Sequence, residues 1–308
     1  MKKINSVIDV QQFDAETLDS IFSTAEIMEK NYQDFSLQGK IMASLFYEPS
    51  TRTRFSFEAA MKRLQGEVIS TENAKEFSSK AKGETLEDTI RVVSGYCDVI
   101  VLRYHKEGGA ERASKFSSVP IINAGDGTGQ HPTQAFLDVY TIRKEFGKIK
   151  GLNIAMVGDL ANGRTVRSLS YSLAKYFPDN RIFFISPKKV KMRNDILQYL
   201  DKYGVKWVEA DNLDEIISSV DVVYQTRVQK ERFEDRREDY YEVVRESEKL
   251  IIDSALIKRM KPSAIIMHPL PRTNEIQYEV DKDPRARYFE QAKNGLYVRM
   301  ALLKMILG

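Results

Sequence analysis

Short apolar runs and helically spaced apolar positions alternate along nearly the whole chain. Short apolar runs predict buried strands, and apolar side chains that repeat at helical intervals predict helices. In the first half, strands are predicted at residues 40–47, 67–71, 98–103 and 119–123, and helices at residues 14–32, 53–64, 84–96, 109–116 and 132–146. In the second half, strands are predicted at residues 152–157, 181–186, 205–208, 221–225 and 264–267, with helical segments between most of them.

This alternation predicts an α/β fold with two domains, each a parallel sheet flanked by helices. A chain of 308 residues is long enough for two domains that each bury a core. The glycine-bounded junction at residues 146–151 is the natural boundary, so we expect domains at 1–148 and 149–308. A final amphipathic helix at about residues 286–307 is expected to pack back on the first domain.

Composition and charge narrow the kinds of protein and site. Hydrophobic residues make up 42% and charged residues 30%, which fits a globular protein, and a net charge of +3 argues against a broad nucleic-acid-binding surface. Cys97 is the only cysteine, which excludes an intrachain disulfide, and its apolar neighbours favour an inert core thiol over a nucleophile. The three histidines lack zinc-site spacing, so no metal is predicted. No apolar stretch is long enough to span a membrane and no apolar signal region is seen, so a cytoplasmic location is expected.

Polar and cationic side chains recur directly after the predicted strands. In open α/β sheets, ligands bind at the carboxyl ends of the strands, so residues that are distant in sequence can converge in one cleft. The positions concerned are residues 50–54, Arg103, residues 125–131, Arg164, residues 227–229 and residues 268–272. Their recurrence at equivalent places predicts a ligand site.

The segment Ser50-Thr51-Arg52-Thr53-Arg54 joins a predicted strand to a predicted helix. Unpaired N–H groups and the positive end of the helix dipole favour an anion at such a position. Arginine adds a planar fork of donors that matches a phosphate or a carboxylate. The alternative is an ordinary helix capped by a hydroxyl, with solvated arginines. The segment alone leaves both interpretations open.

Two glycine-containing loops invite a nucleotide-binding interpretation. Residues 158–165 differ from a P-loop pattern by Arg164 in the lysine position, and arginine does not reproduce the geometry of that lysine. A nucleotide triphosphatase is therefore only a distant alternative. Alternating glycines at residues 125–129 are weak evidence for a dinucleotide, because they also suit a tight turn. His131 and Gln134 follow at the start of a helix, where both are candidates to face a ligand.

Taken together, the polar blocks resemble the aspartate and ornithine carbamoyltransferase family. The first block is similar to the carbamoyl-phosphate signature of that family, and the others occur in family order over nearly the whole chain. The blocks are Ser50-Thr51-Arg52-Thr53-Arg54, Lys82-Gly83-Glu84-Thr85, Gly129-Gln130-His131-Pro132-Thr133-Gln134, Gly158-Asp159, Arg227-Val228-Gln229-Lys230-Glu231-Arg232 and His268-Pro269-Leu270-Pro271-Arg272. The resemblance implies a carbamoyl-phosphate-binding domain at 1–148 and a second-substrate domain at 149–308.

Within the family, the sequence favours aspartate as the second substrate. Ornithine enzymes carry a His-Cys-Leu-Pro block, whereas this chain has proline at position 269. Arg227 and Gln229 suit a substrate with two carboxylates, and the cationic side chain of ornithine would gain little there. The resemblance then implies transfer of the carbamoyl group to the amine of L-aspartate, a step of de novo pyrimidine (UMP) synthesis. It implies no organic cofactor and no metal.

The resemblance also assigns roles to residues. Ser50, Thr51, Arg52 and Thr53 are expected to hold the phosphate with Arg103, and Thr53, Arg103 and His131 to donate to the carbamoyl oxygen. Gln134 is expected to fix the carbamoyl amide, and Pro271 to line the carbamoyl-phosphate site. Arg164, Arg227 and Gln229 are expected to bind the aspartate carboxylates, and the Leu270 carbonyl to orient the reacting amine.

Members of the family form trimers in which a serine and a lysine of the neighbouring chain complete each site. Lys82 matches that lysine, with a role toward both substrates, and Ser78 is the expected serine, with Ser79 as the alternative. A homotrimer with shared sites is therefore expected, and the presence of regulatory chains stays open. A catalytically silent subunit that serves as a scaffold is a further alternative. It would be expected to lack site residues, and the candidate groups are all present.

Overall fold

The structure, a computed structural model, describes residues 2–72, 83–233 and 236–308. The chain divides into two compact units. The first comprises Met1–Tyr140 and Ala292–Gly308, and the second comprises Thr141–Gln291. Each unit has its own parallel sheet and flanking helices, which confirms the predicted α/β class.

The first unit contains a four-stranded parallel sheet in the order β2-β1-β3-β4. Its strands are β1 (Ile41–Phe46), β2 (Glu67–Glu72), β3 (Val99–Tyr104) and β4 (Ile121–Asp126). Its helices are α1 (Ala15–Asn31), α2 (Thr51–Arg63), α3 (Leu86–Ser94), α4 (Gly109–Phe116) and α5 (Pro132–Phe146), the last of which runs on into the second unit. β1 and β3 are almost wholly buried because helices cover both of their faces.

The second unit contains a five-stranded parallel sheet in the order β7-β6-β5-β8-β9. Its strands are β5 (Asn153–Val157), β6 (Arg181–Ile185), β7 (Lys206–Ala210), β8 (Val222–Gln225) and β9 (Ile265–Met267). Its helices are α6 (Arg164–Tyr176), α7 (Asn194–Lys202), α8 (Arg237–Ser247) and α9 (Ser254–Ile257).

Each sheet has one switch point, where successive connections lead to opposite sides. In the first sheet β1 lies between β2 and β3, and in the second β5 lies between β6 and β8. The crevice outside the strand ends at such a point is where open α/β sheets bind ligands. The segment after β1 and the end of β3 meet at the first switch point, and the loops after β5 and β8 meet at the second. These are the strand ends at which the sequence places most of its cationic candidates.

The last helix, α10 (Tyr288–Leu307), returns to the first unit, as predicted. Val298 and Leu302 on its inner face are fully buried. The N-terminal segment is bonded to it, because Ile4 N donates to Met305 O at 3.1 Å. The first unit is thus completed by residues that follow the second unit in the chain.

Every strand and helix predicted by number has a counterpart in the structure, and the differences lie at element ends. The largest difference is in β4, which begins after Pro120 and continues through Asn123 to Asp126. The apolar pattern missed residues 124–126 because Ala124 is followed by Gly125 and the buried carboxylate Asp126. The side-chain amide oxygen of Asn123 accepts a hydrogen bond from Gly125 N at 2.8 Å.

Cys97 is half-buried against the core of the first sheet. Burial raises the pKa of its thiol, so the thiol stays protonated at neutral pH, in agreement with the predicted inert role. Among the residues that the structure describes, no cluster of three or more histidine, cysteine or carboxylate side chains is arranged to hold a metal ion. Over the same ranges, none of the helices combines the length and apolar character needed to cross a bilayer.

Candidate functional site

The start of α2 forms the first part of the candidate site. Ser50 is the N-cap residue, yet its side chain makes no capping hydrogen bond, and its N–H donates to Glu72 Oε1 at 3.3 Å. Arg54 N donates to Ser50 O at 3.1 Å, so the helical bonds begin at this residue. The alternative of a helix capped by the Ser50 hydroxyl is therefore wrong. α2 presents its first N–H groups and the positive end of its dipole here.

The two arginines of this segment have different surroundings. The Arg54 side chain is only 20% exposed and pairs with Glu72 at 3.1 Å and with Glu58 at 3.6 Å. The positive charge of Arg54 is therefore paired with carboxylates of the fold, and the ion pair with Glu72 links α2 to the end of β2. Arg52 is exposed on the first turn, next to the buried Thr53. Arg52 is thus the more exposed of the two guanidiniums.

Arg103 lies beside this segment because of the sheet register. It is opposite Phe46 in the ladder between β1 and β3, and its carbonyl accepts a hydrogen bond from Tyr47 N at 2.9 Å. Its side chain is 14% exposed, with Nε 3.6 Å from Glu48 Oε2 and Nη1 3.5 Å from Ala124 O. The guanidinium is therefore held by groups that follow β1 and belong to β4. A second cation is thereby fixed near the start of α2.

The glycine-rich loop after β4 is a tight turn. Gly127 has φ of +52°, and a Cβ there would come within 2.8 Å of Glu107 N, so the position requires glycine. Asp126 closes the loop by accepting from Gln130 N at 2.8 Å and from Gly108 N at 3.0 Å. These contacts support the turn interpretation of the glycines, and they place His131 at the end of the loop.

His131 and Gln134 lie at the beginning of α5. Both are nearly inaccessible, His131 at 3% and Gln134 at 8% exposure. The His131 carbonyl accepts from Gln134 N at 3.0 Å, so the two residues share the first turn. Gln134 Nε2 donates to Asp138 Oδ1 at 2.8 Å, one turn further along, and Asp138 is fully buried. The Gln134 amide is therefore hydrogen-bonded to a buried carboxylate.

In the second unit, the loops after β5 and β8 are packed against each other. Gly158 has φ of +112°, and a Cβ there would lie 2.3 Å from Thr226 O, so only glycine permits this approach. The fully buried Asp159 accepts from Asn162 N at 3.1 Å and from Gln229 N at 3.3 Å. Burial raises the pKa of Asp159, and these hydrogen bonds oppose the rise. Asp159 thus positions the backbone of Gln229.

Arg227 and Arg164 are the cations at this second switch point. Both terminal nitrogens of Arg227 donate to Glu231, with 3.0 Å between Nη1 and Oε2. This ion pair raises the pKa of Arg227, which stays fully charged. Arg164 is the first residue of α6 and is partly buried. Arg227 lies on the same loop as Gln229, Arg164 begins the helix after β5, and guanidiniums suit carboxylate binding.

The backbone at Leu270 is held in a defined shape. Leu270 has φ of +53°, an uncommon value for a residue with a side chain, and its peptide bond to Pro271 is cis. Its N–H donates to His268 Nδ1 at 2.8 Å, so His268 Nε2 carries the proton that faces Glu275 Oε1 at 2.8 Å. Glu275 also accepts from Thr273 Oγ1 at 2.7 Å. The Leu270 carbonyl is therefore oriented by a buried histidine and a buried carboxylate.

The predicted site residues form one group in each unit. In the first unit they are Ser50, Thr51, Arg52, Thr53, Arg103, His131 and Gln134, which follow β1, end β3 or follow β4. In the second unit they are Arg164, Arg227, Gln229, Leu270 and Pro271, which follow β5, β8 or β9. Ser78, Ser79 and Lys82 lie outside the described residues.

Sequence reasoning missed the carboxylates that bond to the site residues, which are Glu231, Asp138 and Glu275. Glu231 had a usable signal, because it lies four residues after Arg227 and opposite charges at that spacing often pair. Asp138 and Gln134 share the same spacing on α5, but an amide and a carboxylate give no charge pattern. Glu275 follows His268 through an irregular segment, so no periodicity connects them.

Comparison with known proteins decides the family. Residues 5–144 match the model of the aspartate/ornithine carbamoyltransferase carbamoyl-P binding domain, and residues 150–306 match that of the Asp/Orn binding domain. The chain belongs to the aspartate/ornithine carbamoyltransferase family. The two family models cover the two groups of site residues separately.

Several members of this carbamoyltransferase family are similar over their length. The chloroplastic aspartate carbamoyltransferase of Arabidopsis thaliana is 59% identical over 309 residues, which cover 99% of this chain and 78% of the relative. The aspartate carbamoyltransferase catalytic subunit of Methanocaldococcus jannaschii is 50% identical over 100% of this chain and 98% of the relative. The structure of Trypanosoma cruzi aspartate transcarbamoylase in complex with N-(phosphonacetyl)-L-aspartic acid has a TM-score of 0.93 at 39% identity, covering 99% of this chain and 97% of the other.

Proposed function

We propose that the chain is an aspartate carbamoyltransferase. It transfers the carbamoyl group of carbamoyl phosphate to the amine of L-aspartate and releases N-carbamoyl-L-aspartate and phosphate, in de novo pyrimidine biosynthesis. The observation that carries the proposal lies at the switch point of the first sheet. There, the uncapped start of α2 and the neighbouring Arg103 form a positively charged site that suits an anion. Solved complexes of the Trypanosoma cruzi enzyme with carbamoyl phosphate and aspartate, and with carbamoyl aspartate and phosphate, support the same substrates and products.

The phosphate of carbamoyl phosphate is assigned to α2. The N–H groups of Thr51 and Thr53 and the hydroxyls of Ser50, Thr51 and Thr53 surround it, and Arg52 and Arg103 neutralise it. The phosphate is also the leaving group, and a cation that meets its oxygens stabilises the charge that they gain as the C–O bond breaks. Arg54 is not included, because its ion pairs lie within the fold.

The carbamoyl carbon is the electrophile, and its oxygen gains negative charge as the amine adds. Thr53, Arg103 and His131 donate to that oxygen, and removal of one such donor typically lowers turnover by about 10²–10³. Gln134 contacts the carbamoyl amine. Holding the two reactants in register lowers the barrier further, by up to roughly 7–11 kcal/mol.

Aspartate is assigned to the second unit. Arg164, Arg227 and Gln229 bind its two carboxylates, and Glu231 keeps the Arg227 guanidinium in one plane. The Leu270 carbonyl accepts from the α-amine and directs its lone pair toward the carbamoyl carbon. The amine forms the new C–N bond, the bond from the carbamoyl carbon to the phosphate oxygen breaks with its electron pair on that oxygen, and the proton of the amine passes to the departing phosphate.

The substrate assignment is tested with the purified chain. Carbamoyl phosphate is supplied with either aspartate or ornithine, and the carbamoylated product is identified by mass spectrometry. N-carbamoyl-L-aspartate is the expected product, and citrulline alone would reject the assignment. A chain that forms neither product would fit the scaffold alternative. Magnesium-dependent nucleotide binding in a titration would support the P-loop alternative.

The assembly is proposed to be a homotrimer with shared sites, in which Ser78, or alternatively Ser79, and Lys82 of one chain complete the site of the next. Sedimentation velocity of the purified chain tests this state, and a monomer with full activity would reject it. The archaeal relatives are named as catalytic subunits, so regulatory chains are candidate partners, to be sought by co-purification. A cytoplasmic location is proposed and is tested by fractionation, since the plant relatives are chloroplastic.

A further inference from the structure

The turn Lys188–Val190, which follows β6, is bonded to α8 through charged side chains. Lys189 Nζ lies 2.6 Å from Asp239 Oδ1 and 2.6 Å from Glu242 Oε2. The first N–H of the turn donates to Glu246 Oε2 at 2.9 Å. The three carboxylates follow one another at intervals of three and four residues, so they lie on one face of the helix. α8 thus presents an acidic face to this turn.

The same turn is bonded to the loop after β5. The carbonyl of Val190 accepts from Leu160 N and from Ala161 N, each at 3.0 Å. That loop leads into α6, whose first residue is Arg164. The turn is therefore fixed to a segment that carries one of the proposed aspartate-binding cations, and α8 is bonded to this fixed turn.

A small apolar cluster joins the turn, α8 and the loop after β8. Its buried members are Val190 of the turn, Phe233 before α8 and Val243 of α8. Val228, which separates the two proposed aspartate-binding residues of the loop after β8, packs against this cluster. Among the described residues the cluster is small, so the charged contacts beside it contribute a large share of what keeps α8 in place.

The charges of this contact support one another. The hydrogen bond to Asp239 is the largest of several influences that raise the pKa of Lys189, and Lys189 in turn lowers the pKa of Asp239. Both groups are therefore charged at neutral pH. The two side chains stay partly exposed, at 41% and 32%, so dissolved salt screens their attraction.

We propose that Lys189 is a positioning residue for aspartate. Its two ion pairs keep α8 against the turn, and that contact holds the loop that carries Arg227 and Gln229. Without the ion pairs the loop has more freedom, which aspartate must restrict when it binds, so the affinity for aspartate falls. The start of α2 belongs to the other unit and has no part in this contact. The inference rests on the proposed function, because it takes the loop after β8 to bind aspartate.

The test compares the loss of two lysines in the same segment. Lys189→Met removes the charge and keeps an unbranched side chain. Lys191→Met is the matched control, because Lys191 is similarly exposed but pairs at 3.2 Å with Glu209 of β7 and not with α8. Initial rates give the KM for each substrate at about 0.05 M and about 0.5 M salt. Thermal melting checks that each variant is folded.

At low salt, Lys189→Met is expected to raise the KM for aspartate about fivefold and the KM for carbamoyl phosphate by less than about twofold. At high salt the ratio of the two aspartate KM values, variant over unmodified protein, should approach one, because salt screens the ion pairs of the unmodified protein. Lys191→Met should stay within about twofold of the unmodified protein at both salt concentrations. A role in stability alone would lower the melting temperature without separating the two substrates.

The contact is also tested from the side of α8. Asp239→Asn with Glu242→Gln removes the two negative charges and is expected to raise the KM for aspartate by a similar factor, about fivefold. Addition of Lys189→Met to this double variant should change that KM by less than about twofold, because the ion pairs are already lost. This combination decides the matter even if one of the variants does not fold.

Two results would overturn the inference. One is an aspartate KM at low salt that is the same in Lys189→Met as in Lys191→Met. The other is a fully additive effect when Lys189→Met is combined with the double variant of α8, which would show that the lysine and the carboxylates act independently. Failure of the proposed function is a separate result, because the unmodified protein would then form no N-carbamoyl-L-aspartate.

Discussion

Arg227 and Glu231 form a bidentate ion pair, in which both terminal nitrogens of the guanidinium donate to one carboxylate. Burial is the largest influence on the pKa of Glu231 and raises it, but the hydrogen bonds and charge of Arg227, together with a backbone N–H and Arg232, leave that pKa below its ordinary value. Both groups are therefore charged at neutral pH. Because a bidentate pair fixes the guanidinium plane, Arg227 is oriented before aspartate binds.

Glu231→Gln is expected to raise the KM for aspartate about tenfold, because the amide holds Arg227 through one acceptor and without charge. The KM for carbamoyl phosphate should change by less than about twofold, since Arg227 lies in the other unit from α2. Initial-rate kinetics with each substrate varied measure both constants. Glu238→Gln, at an exposed position on α8, is the control and should match the unmodified protein. An unchanged aspartate KM in Glu231→Gln would contradict the assignment.

His131→Ala is expected to lower kcat by about 10²–10³, because it removes one donor to the carbamoyl oxygen in the transition state. Phosphate binding should stay near normal, since α2, Arg52 and Arg103 are untouched. Steady-state kinetics give kcat, and inhibition by inorganic phosphate gives its affinity. A variant with full turnover would reject the donor role, and a parallel loss of phosphate affinity would indicate a wider disturbance.

Arg52→Ala and Lys82→Ala are each expected to be inactive, and Arg52→Ala is expected to be more severe than His131→Ala because the phosphate is then poorly neutralised. If each site draws Arg52 from one chain and Lys82 from the next, mixed trimers contain some sites with neither defect. Activity should therefore reappear when the two inactive proteins are unfolded together and refolded. Each variant refolded alone is the control. Mixed trimers verified by mass spectrometry that stay inactive would count against shared sites.

Gly158→Ala is expected to cost at least about 3 kcal/mol of unfolding free energy, because its Cβ would collide with the Thr226 carbonyl in a left-handed backbone. Gly204 is the matched control, since it has φ of +69° and a Cβ added there would meet no atom within 4 Å. Gly204→Ala should cost only about 1 kcal/mol, from backbone strain alone. Urea denaturation measures both. Equal losses of unfolding free energy in the two variants would show that the close approach of the loops after β5 and β8 does not contribute to the cost of Gly158→Ala.

Glu275→Gln tests the network behind Leu270 through its pH dependence. Burial raises the pKa of Glu275, but hydrogen bonds from His268 and Thr273 prevail and leave it below 4.5. A carboxylate with a depressed pKa stabilises the fold above its unfolded value and loses that effect as pH falls through its folded value. The stability difference from the unmodified protein should therefore be largest near neutral pH and shrink below about pH 4.5. The exposed Glu279→Gln serves as control, and a difference that is independent of pH would contradict the role.

The fold was largely predictable because the pattern of apolar positions in the sequence matches the pattern of buried side chains in the structure. Strands such as β1 are buried on both faces and read as continuous apolar runs, and α1 begins where Asp14 accepts from Thr17 N at 2.7 Å. The end of β4 was less predictable, because Asp126 is a buried carboxylate that accepts from Gly108 N, in another part of the chain.

The site was predictable where ligand-binding groups are charged and occur in recognisable blocks. The family resemblance assigned Arg52 and not Arg54 to the phosphate, but only the fold shows that Glu58 and Glu72 pair with Arg54. Glu275 and Asp138 were missed for the same reason. Their importance lies in partners that the fold supplies, and neither residue type is informative by itself.

The return of α10 has a consequence for how the protein is made. Ala292–Gly308 leave the ribosome only after the whole of the second unit, yet they complete the core of the first. The carbamoyl-phosphate unit therefore cannot finish folding in the order in which its residues are synthesised. Its apolar surface stays uncovered while 151 residues of Thr141–Gln291 are translated, so the second unit reaches a complete sequence while the first still awaits its final helix.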